Sequence, residues 1–190
     1  MDYQSKNDNI ICMYRFLTFL IIFFSFEANS QWNPKESSSS AVKTDVTATI
    51  DEFKSNPNLT IFFEQAQGYV VFPSIKKAGF GIGGSTGKGQ VFEKGELVGD
   101  SSVTQISIGI QFGGQAFKEI IFFRDKEALN RFTRGNFEFG AQASAVALTT
   151  GVAVEAEYSN GVAIFTETIG GLMYEASVGG QKFTFQPQNK

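Results

Sequence analysis

The sequence of 190 residues has the length of one domain, and its 16 basic and 19 acidic side chains give a net charge of −3. This charge argues against a polycation that coats nucleic acid, so no nucleic-acid partner is expected. There is no histidine and a single cysteine, Cys12. Histidine-dependent catalytic sets, histidine-ligated metal sites and four-cysteine clusters are therefore excluded. We predict a non-enzymatic binding protein with no cofactor and no metal.

The first 30 residues are typical of a signal peptide. An apolar core at residues 16–24 follows the positive charge of Arg15 and is too short for a comfortable membrane span. Small residues at Ala28 and Ser30 predict cleavage after Ser30. We therefore expect an exported protein of the periplasm or outer envelope. An uncleaved N-terminal anchor and a true start at Met13 are the alternatives.

A flexible leader and two helices are predicted next. Residues 31–40 include a proline and four consecutive serines, which is typical of a flexible leader. The apolar residues that follow with helical spacing are Val42, Val46, Ile50 and Phe53. This face either packs on the sheet or faces a membrane. Asn56 and Pro57 end the helix and begin a second, short one, as N-cap and first helical residue.

A glycine-punctuated sheet is predicted for the rest of the chain, because residues 68–180 contain all 20 glycines and most strand-like runs. These runs are residues 69–72, 80–82, 90–92, 103–111, 117–123, 143–157, 162–168, 172–178 and 182–185. Turns are expected at residues 93–96, 113–114, 159–161 and 179–180. One strand should carry four apolar residues on one face, Ile106, Ile108, Ile110 and Phe112.

One helix interrupts the strands. Asp125 is a suitable N-cap, Leu129 and Phe132 form an apolar stripe, and Gly135 should end the helix. The gaps between strands are mostly too short for crossover helices, which favours antiparallel pairing. We therefore predict an α+β fold. Its mainly antiparallel, strongly twisted or barrel-like sheet would have N-terminal helices and one mid-chain helix packed on it.

Five basic residues form the candidate lipid-binding set. Lys76 and Lys77 are predicted in a turn between two strands, and Arg124, Arg131 and Arg134 around the middle helix. Positive side chains on a rigid rim beside exposed apolar residues can hold the phosphate of an acidic phospholipid, while the apolar residues contact its acyl chains. The alternative is that these side chains are ordinary solubilising charges.

Four blocks of sequence resemble the SYLF lipid-binding domain family, which is also described as an actin-binding family. They are GYVVFPSIKKAGFGIGG at residues 68–84, KEALNRF at 126–132, FGAQAS at 139–144 and GLMY at 171–174. The resemblance covers roughly residues 42–185 and implies a single domain at residues 41–187, in an exported bacterial-type member. Lys77 lies where the family motif places a basic residue after Phe-Pro.

The resemblance implies a non-enzymatic lipid-binding module of the cell envelope, with an acidic phospholipid or a membrane surface as its partner. Relatives bind phosphoinositides, and eukaryotic relatives bind actin, so a protein-interaction or structural module is the first alternative. A small outer-membrane β-barrel is another, although the predicted helices and an end without a terminal aromatic residue argue against it. An enzyme is the last alternative, and no reaction is specified for it.

Overall fold

A computed structural model describes residues 34–140, 143, 145–149, 156–170 and 178–188. Side chains are described within these ranges except at residues 34–44, 79–82, 107–113 and 170. Contacts divide the chain into Met1–Pro34 and a second compact unit, Lys35–Lys190. The predicted signal peptide, residues 1–30, lies outside the described residues. None of the helices in the described ranges has both the length and the apolar content needed to cross a bilayer.

The predicted boundary between the two N-terminal helices is correct, but the first helix begins earlier than predicted. Helix α1 spans Pro34–Ser55, a 3-10 helix spans Pro57–Leu59, and α2 spans Thr60–Gln65. The side chain of Asn56 accepts a hydrogen bond from the backbone N–H of Asn58 at 3.0 Å, which confirms the predicted cap. Because proline is tolerated in the first turn of a helix, α1 begins at Pro34, and residues 34–40 of the predicted leader are helical.

Six strands form one sheet in the described part of the chain. They are β1 (Gly68–Glu93), β2 (Glu96–Phe123), β3 (Phe137–Glu138), β4 (Val146–Ala147), β5 (Val162–Gly170) and β6 (Lys182–Pro187). Their order is β3-β6-β2-β5-β4, with β1 also paired to β2. Every pair is antiparallel except β4 with β5. This mostly antiparallel, strongly curled sheet with its helices confirms the predicted α+β fold class.

The long β1–β2 hairpin replaces five predicted strands. The predicted turns at residues 76–77 and 113–114 are wrong, because both segments lie within continuous strands. Gly113 pairs with Gly79, and Gly114 pairs with Ala78. Glycine without a side chain lets a strand bend sharply while its ladder continues, and the register shifts on both sides of this segment. The glycines therefore mark a bend of the hairpin.

The hairpin folds back at this bend, so that the first and last parts of β1 come into contact. A Cβ atom on Gly68 would lie 2.5 Å from the carbonyl oxygen of Phe92. A Cβ atom on Gly89 would overlap the carbonyl oxygen of Val71 and would lie 2.6 Å from the ring of Phe72. Only glycine fits such close approach of two backbones. These glycines therefore explain how the sheet curls.

The two faces of β2 carry separate hydrophobic cores. We call the face with Phe117, Ile121 and Phe123 the inner face, and the face with Ile120 and Phe122 the outer face. The inner core includes three residues of helix α3 (Lys126–Thr133), namely Ala128, Leu129 and Phe132. The outer core is covered by residues of α1, the 3-10 helix and α2, namely Val46, Ile50, Phe53, Leu59 and Phe62.

This packing answers the question of which way the first helix faces. Val46, Ile50 and Phe53 are buried against the outer face of the sheet, so these three residues do not face a membrane. Burying them against Phe122 and Phe165 removes apolar surface from water within the protein itself. The side chain of Val42 lies outside the described residues.

Local signals placed α3 and three turns correctly. The carboxylate of Asp125 accepts a hydrogen bond from the backbone N–H of Ala128 at 2.8 Å, and Gly135 follows the helix at φ +80°. Positive φ angles at Gly95, Gly161 and Gly180 confirm the turns at residues 93–96, 159–161 and 179–180. Of the predicted strands at 143–157 and 172–178, only Val146–Ala147 is a described strand, and residues 150–155 and 171–177 lie outside the described part.

Candidate functional site

The five predicted basic residues lie in two separate places. Lys76 and Lys77 pair with Ala116 and Gln115 within the hairpin, on the way to its bend. The three arginines flank or belong to α3, which approaches the sheet where Leu129 lies beside Gly68. Lys76 lies eight positions beyond Gly68, which corresponds to about 26 Å of extended strand. The predicted residues therefore do not form a single basic patch.

The two lysines also point in different directions. Neighbouring residues on a strand project to opposite faces of the sheet. Lys76 is exposed and pairs with Ala116, on the outer face, whereas Lys77 is half-buried and pairs with Gln115, on the inner face. Only one member of this pair can therefore contribute to a given flat contact surface.

The bend of the hairpin is free of acidic residues. Residues 65–92 and 101–118 contain no aspartate or glutamate, although the chain has 19 of them. Lys76 and Lys88 are exposed here on the outer face, opposite Ala116 and Ser102. We call this outer face of the hairpin, from Lys76 to Lys88 and from Ser102 to Ala116, the bend surface. Its described charges are all positive.

The most exposed large apolar side chain of the described part lies on the bend surface. Ile106 is 81% exposed, compared with 52% for Ile61 on α2. Its cross-strand partner is Gly84, which has no side chain to cover it. The prediction that Ile108, Ile110 and Phe112 share this face stays a prediction, because their side chains lie outside those described. An exposed isoleucine near Lys88 on the same outer face is suited to the boundary between headgroups and acyl chains.

Two of the three arginines line a pocket beside α3. Its volume is about 850 Å³, and both Arg124 and Arg131 line it, whereas Arg134 does not. Arg131 donates to the carbonyl oxygen of Asn160 at 2.6 Å, which ties α3 to the turn before β5. The carboxylates that line the pocket are Asp125, Glu127, Glu138 and Glu157. With two arginines and four carboxylates among the described lining residues, this pocket is not the basic patch that the sequence predicted.

Sequence reasoning missed a fully buried acid, Glu119, on the inner face of β2. Its Oε2 accepts a hydrogen bond from the Nε2 of Gln181 at 3.1 Å. Three nearby oxygens, Glu119 Oε1, Gln181 Oε1 and Thr166 Oγ1, are buried without a hydrogen bond to any described residue. Burial raises the pKa of Glu119 to about 8, although the Gln181 hydrogen bond acts to lower it. In the sequence, Glu119 lies two residues from both Phe117 and Ile121. Alternation along a strand puts all three on one face, and this pattern could have indicated that Glu119 is buried.

Comparison with known proteins supports the family resemblance. A family model described as "Ysc84: Las17-binding protein actin regulator" matches residues 104–189. Residues 104–189 are therefore similar to the Ysc84, or SYLF, family. Three of the four blocks lie inside the matched region, and the block at residues 68–84 lies outside it.

A curated relative extends the similarity towards the N-terminus. The chain is 27% identical over 163 residues to Beta cell expansion factor A of Aeromonas veronii. The alignment covers 83% of this chain and 61% of that protein. The chain thus spans about three fifths of the length of this relative, so the activity of the whole relative does not transfer directly.

Proposed function

We propose that the protein is a non-enzymatic lipid-binding module of the cell envelope that contacts acidic phospholipid through the bend surface. The observation that carries this proposal is the exposed side chain of Ile106, which lies on the same part of the hairpin as Lys88 and on a segment without acidic residues. The SYLF family resemblance supports the same class of ligand. An exported location, in the periplasm or at the outer envelope, is part of the proposal.

The energetics predict weak binding that depends on lipid charge. Burying one isoleucine contributes roughly 1.5–3 kcal/mol, and a lysine near an anionic membrane surface contributes about 1 kcal/mol. With one exposed isoleucine and a few lysines, one copy should bind weakly. Because the lysine contribution is screened by salt, binding should weaken as ionic strength rises.

The arginines have a secondary role in this proposal. Arg134 is exposed, but Arg124 and Arg131 share their pocket with four carboxylates, which oppose the approach of an anionic membrane surface. Reversing the charge of a bend lysine should therefore weaken membrane binding more than the same change at Arg134.

Vesicle flotation tests this proposal, with phosphatidylcholine vesicles and with vesicles that also contain phosphatidylglycerol. We expect the full chain to float with the anionic vesicles. Ile106→Ser should weaken this binding roughly tenfold, and the double variant Lys76→Glu/Lys88→Glu more than tenfold. Ile61→Ser and Arg134→Glu are the matched controls and should bind nearly as the wild type. The N-terminal apolar segment is present in every variant and contributes equally.

Two results would overturn the proposal. One is equal flotation with both vesicle types, and the other is a loss of binding that is as large for Ile61→Ser as for Ile106→Ser.

A protein-interaction module is the second candidate, because the matching family is described as a Las17-binding actin regulator. Cosedimentation with purified actin filaments, unchanged by added vesicles, would favour that candidate.

A further inference from the structure

The pocket beside α3 is not used by the proposed function, and both charged and apolar side chains line it. Its apolar lining residues include Phe139, Ala143, Val146, Ala156, Val162 and Ile164. A volume of about 850 Å³ is in the range that holds small ligands. A lining with both apolar and charged side chains is suited to a ligand with an apolar body and a charged end.

Arg124 offers hydrogen-bond donors to this pocket. Its side chain is 60% exposed, and its contact with Asp125 is a surface ion pair at 3.6 Å, which holds it weakly. The carboxylate of Asp125 already accepts the hydrogen bond that caps α3. Most of the guanidinium N–H groups of Arg124 can therefore turn to a ligand, and their planar fork matches a carboxylate.

Tyr158 offers a second donor. It lines the same pocket, and its hydroxyl is buried without a hydrogen bond to any described residue. A buried hydroxyl normally has a partner. Burial raises the pKa of Tyr158 to about 12, while the nearby charge of Arg124 acts to lower it. The phenol therefore keeps its proton at neutral pH and can donate it to a ligand oxygen.

Arg131 is held by the protein and acts as a positioning residue. Its Nη2 donates to the carbonyl oxygen of Asn160, and its Nη1 lies 3.4 Å from a carboxylate oxygen of Glu127. The backbone N–H of Arg124 donates to the carbonyl oxygen of Gly161 at 2.9 Å. These contacts fix the turn before β5 against α3 and so hold the lining of the pocket in place.

We propose that this pocket binds a single-chain anionic amphiphile, a long-chain carboxylate, as a monomer. The guanidinium of Arg124 and the hydroxyl of Tyr158 donate to the ligand carboxylate, and the chain lies along Val146 and Ala156, which are half-buried and pack on the same core as Tyr158. The four carboxylates outnumber the two arginines of the pocket, so binding of a single negative charge depends on direct contact with the guanidinium of Arg124, and a doubly charged phosphate monoester is disfavoured more strongly. The inference does not depend on the proposed function, because it concerns a dissolved ligand and not a bilayer.

Fluorescence titration with parinaric acid, below the concentration at which it forms micelles, tests the proposal. We expect saturable binding of the acid and at least tenfold weaker binding of its methyl ester. Arg124→Gln should weaken binding of the acid at least tenfold and leave binding of the ester unchanged. Tyr158→Phe should weaken binding of the acid severalfold. The matched controls are Arg134→Gln, outside the pocket, and Tyr69→Phe, in the outer core.

The titration can contradict the pocket proposal in several ways, and none of them depends on the proposed membrane binding. Absence of saturable binding, equal affinity for acid and ester, or an equal effect of Arg134→Gln and Arg124→Gln overturns the pocket assignment. Ile106→Ser should bind parinaric acid as the wild type does. Loss of binding in that variant alone would mean that the probe reports the bend surface, which would overturn the pocket and leave the proposed function standing. Thermal unfolding of each variant shows whether it has folded.

Discussion

Replacing Glu119 with glutamine should stabilise the protein at pH 8 and above and remove most of the pH dependence of its stability below that. The wild-type carboxyl is fully buried and accepts one hydrogen bond, from Gln181. When protonated, it can also donate to the unpartnered Oε1 of Gln181, so that acid and amide satisfy each other. Glutamine can make the same two hydrogen bonds and cannot ionise.

The sign of the effect follows from proton binding. The pKa of Glu119 is about 8 in the folded protein and 4.5 in the unfolded chain. Between these values the folded state holds a proton that the unfolded state has released, so the free energy of unfolding falls as pH rises. A difference of this size corresponds to at most about 5 kcal/mol, complete above pH 8 and absent below pH 4.5.

Urea unfolding of the wild type and Glu119→Gln between about pH 5 and about pH 9 measures this difference. Glu64→Gln is the matched control, because Glu64 is an exposed residue of α2. It should follow the pH dependence of the wild type. A wild-type stability that does not fall through this pH window, or a fall of equal size in Glu119→Gln, would contradict the assignment.

Replacing Gly89 with alanine should destabilise the protein by about 3 kcal/mol, at the upper end of the usual cost of overpacking. A Cβ at this position would overlap the carbonyl oxygen of Val71 and approach the ring of Phe72 to 2.6 Å. The ring can turn only within a filled core, and the carbonyl belongs to the backbone. The two parts of β1 would therefore have to separate.

Gly114→Ala is the control for this effect, because its Cβ would lie 3.8 Å from the nearest described atom, the carbonyl oxygen of Lys77. We expect this variant to unfold within about 1 kcal/mol of the wild type, as a glycine replaced in open space usually does. Equal midpoints of denaturant unfolding for Gly89→Ala and Gly114→Ala would show that the hairpin does not fold back on itself as described.

The parts of the fold that the sequence predicted correctly depend on local chemistry. Asn56 and Asp125 cap helices through side chains that reach only two or three residues along the chain. Gly95 and Gly161 adopt positive φ angles, which neighbouring residues suffice to indicate. Each of these signals acts within one turn, so it is readable without knowing the rest of the fold.

The long hairpin was not predicted because glycine occurs both in turns and within bent strands. Gly113 and Gly114 are typical of a turn when read alone, but in the structure they pair with Gly79 and Ala78 and continue the ladder. That pairing joins residues more than 30 positions apart. Sequence spacing within either strand could not reveal it.

The candidate site depended on the same long-range information. Which basic residues converge is set by the bend and by the docking of α3, so Lys76 and Arg124 looked equivalent in sequence. The burial of Glu119 requires the inner face of β2 to be covered by Gln181 and its neighbours. By contrast, the absence of acids from residues 65–92 and 101–118 is readable directly from the sequence.

Insertion of the bend surface into anionic membranes is the central claim, and a tryptophan at position 106 tests it most directly. Trp32 is the single tryptophan of the chain, so Trp32→Phe/Ile106→Trp reports from the bend surface alone. Trp32→Phe/Ile61→Trp is the control on α2. With vesicles containing phosphatidylglycerol, we expect a blue shift and quenching by brominated acyl chains at position 106 and neither at position 61. Unchanged emission at position 106, or equal shifts at both positions, would contradict the account.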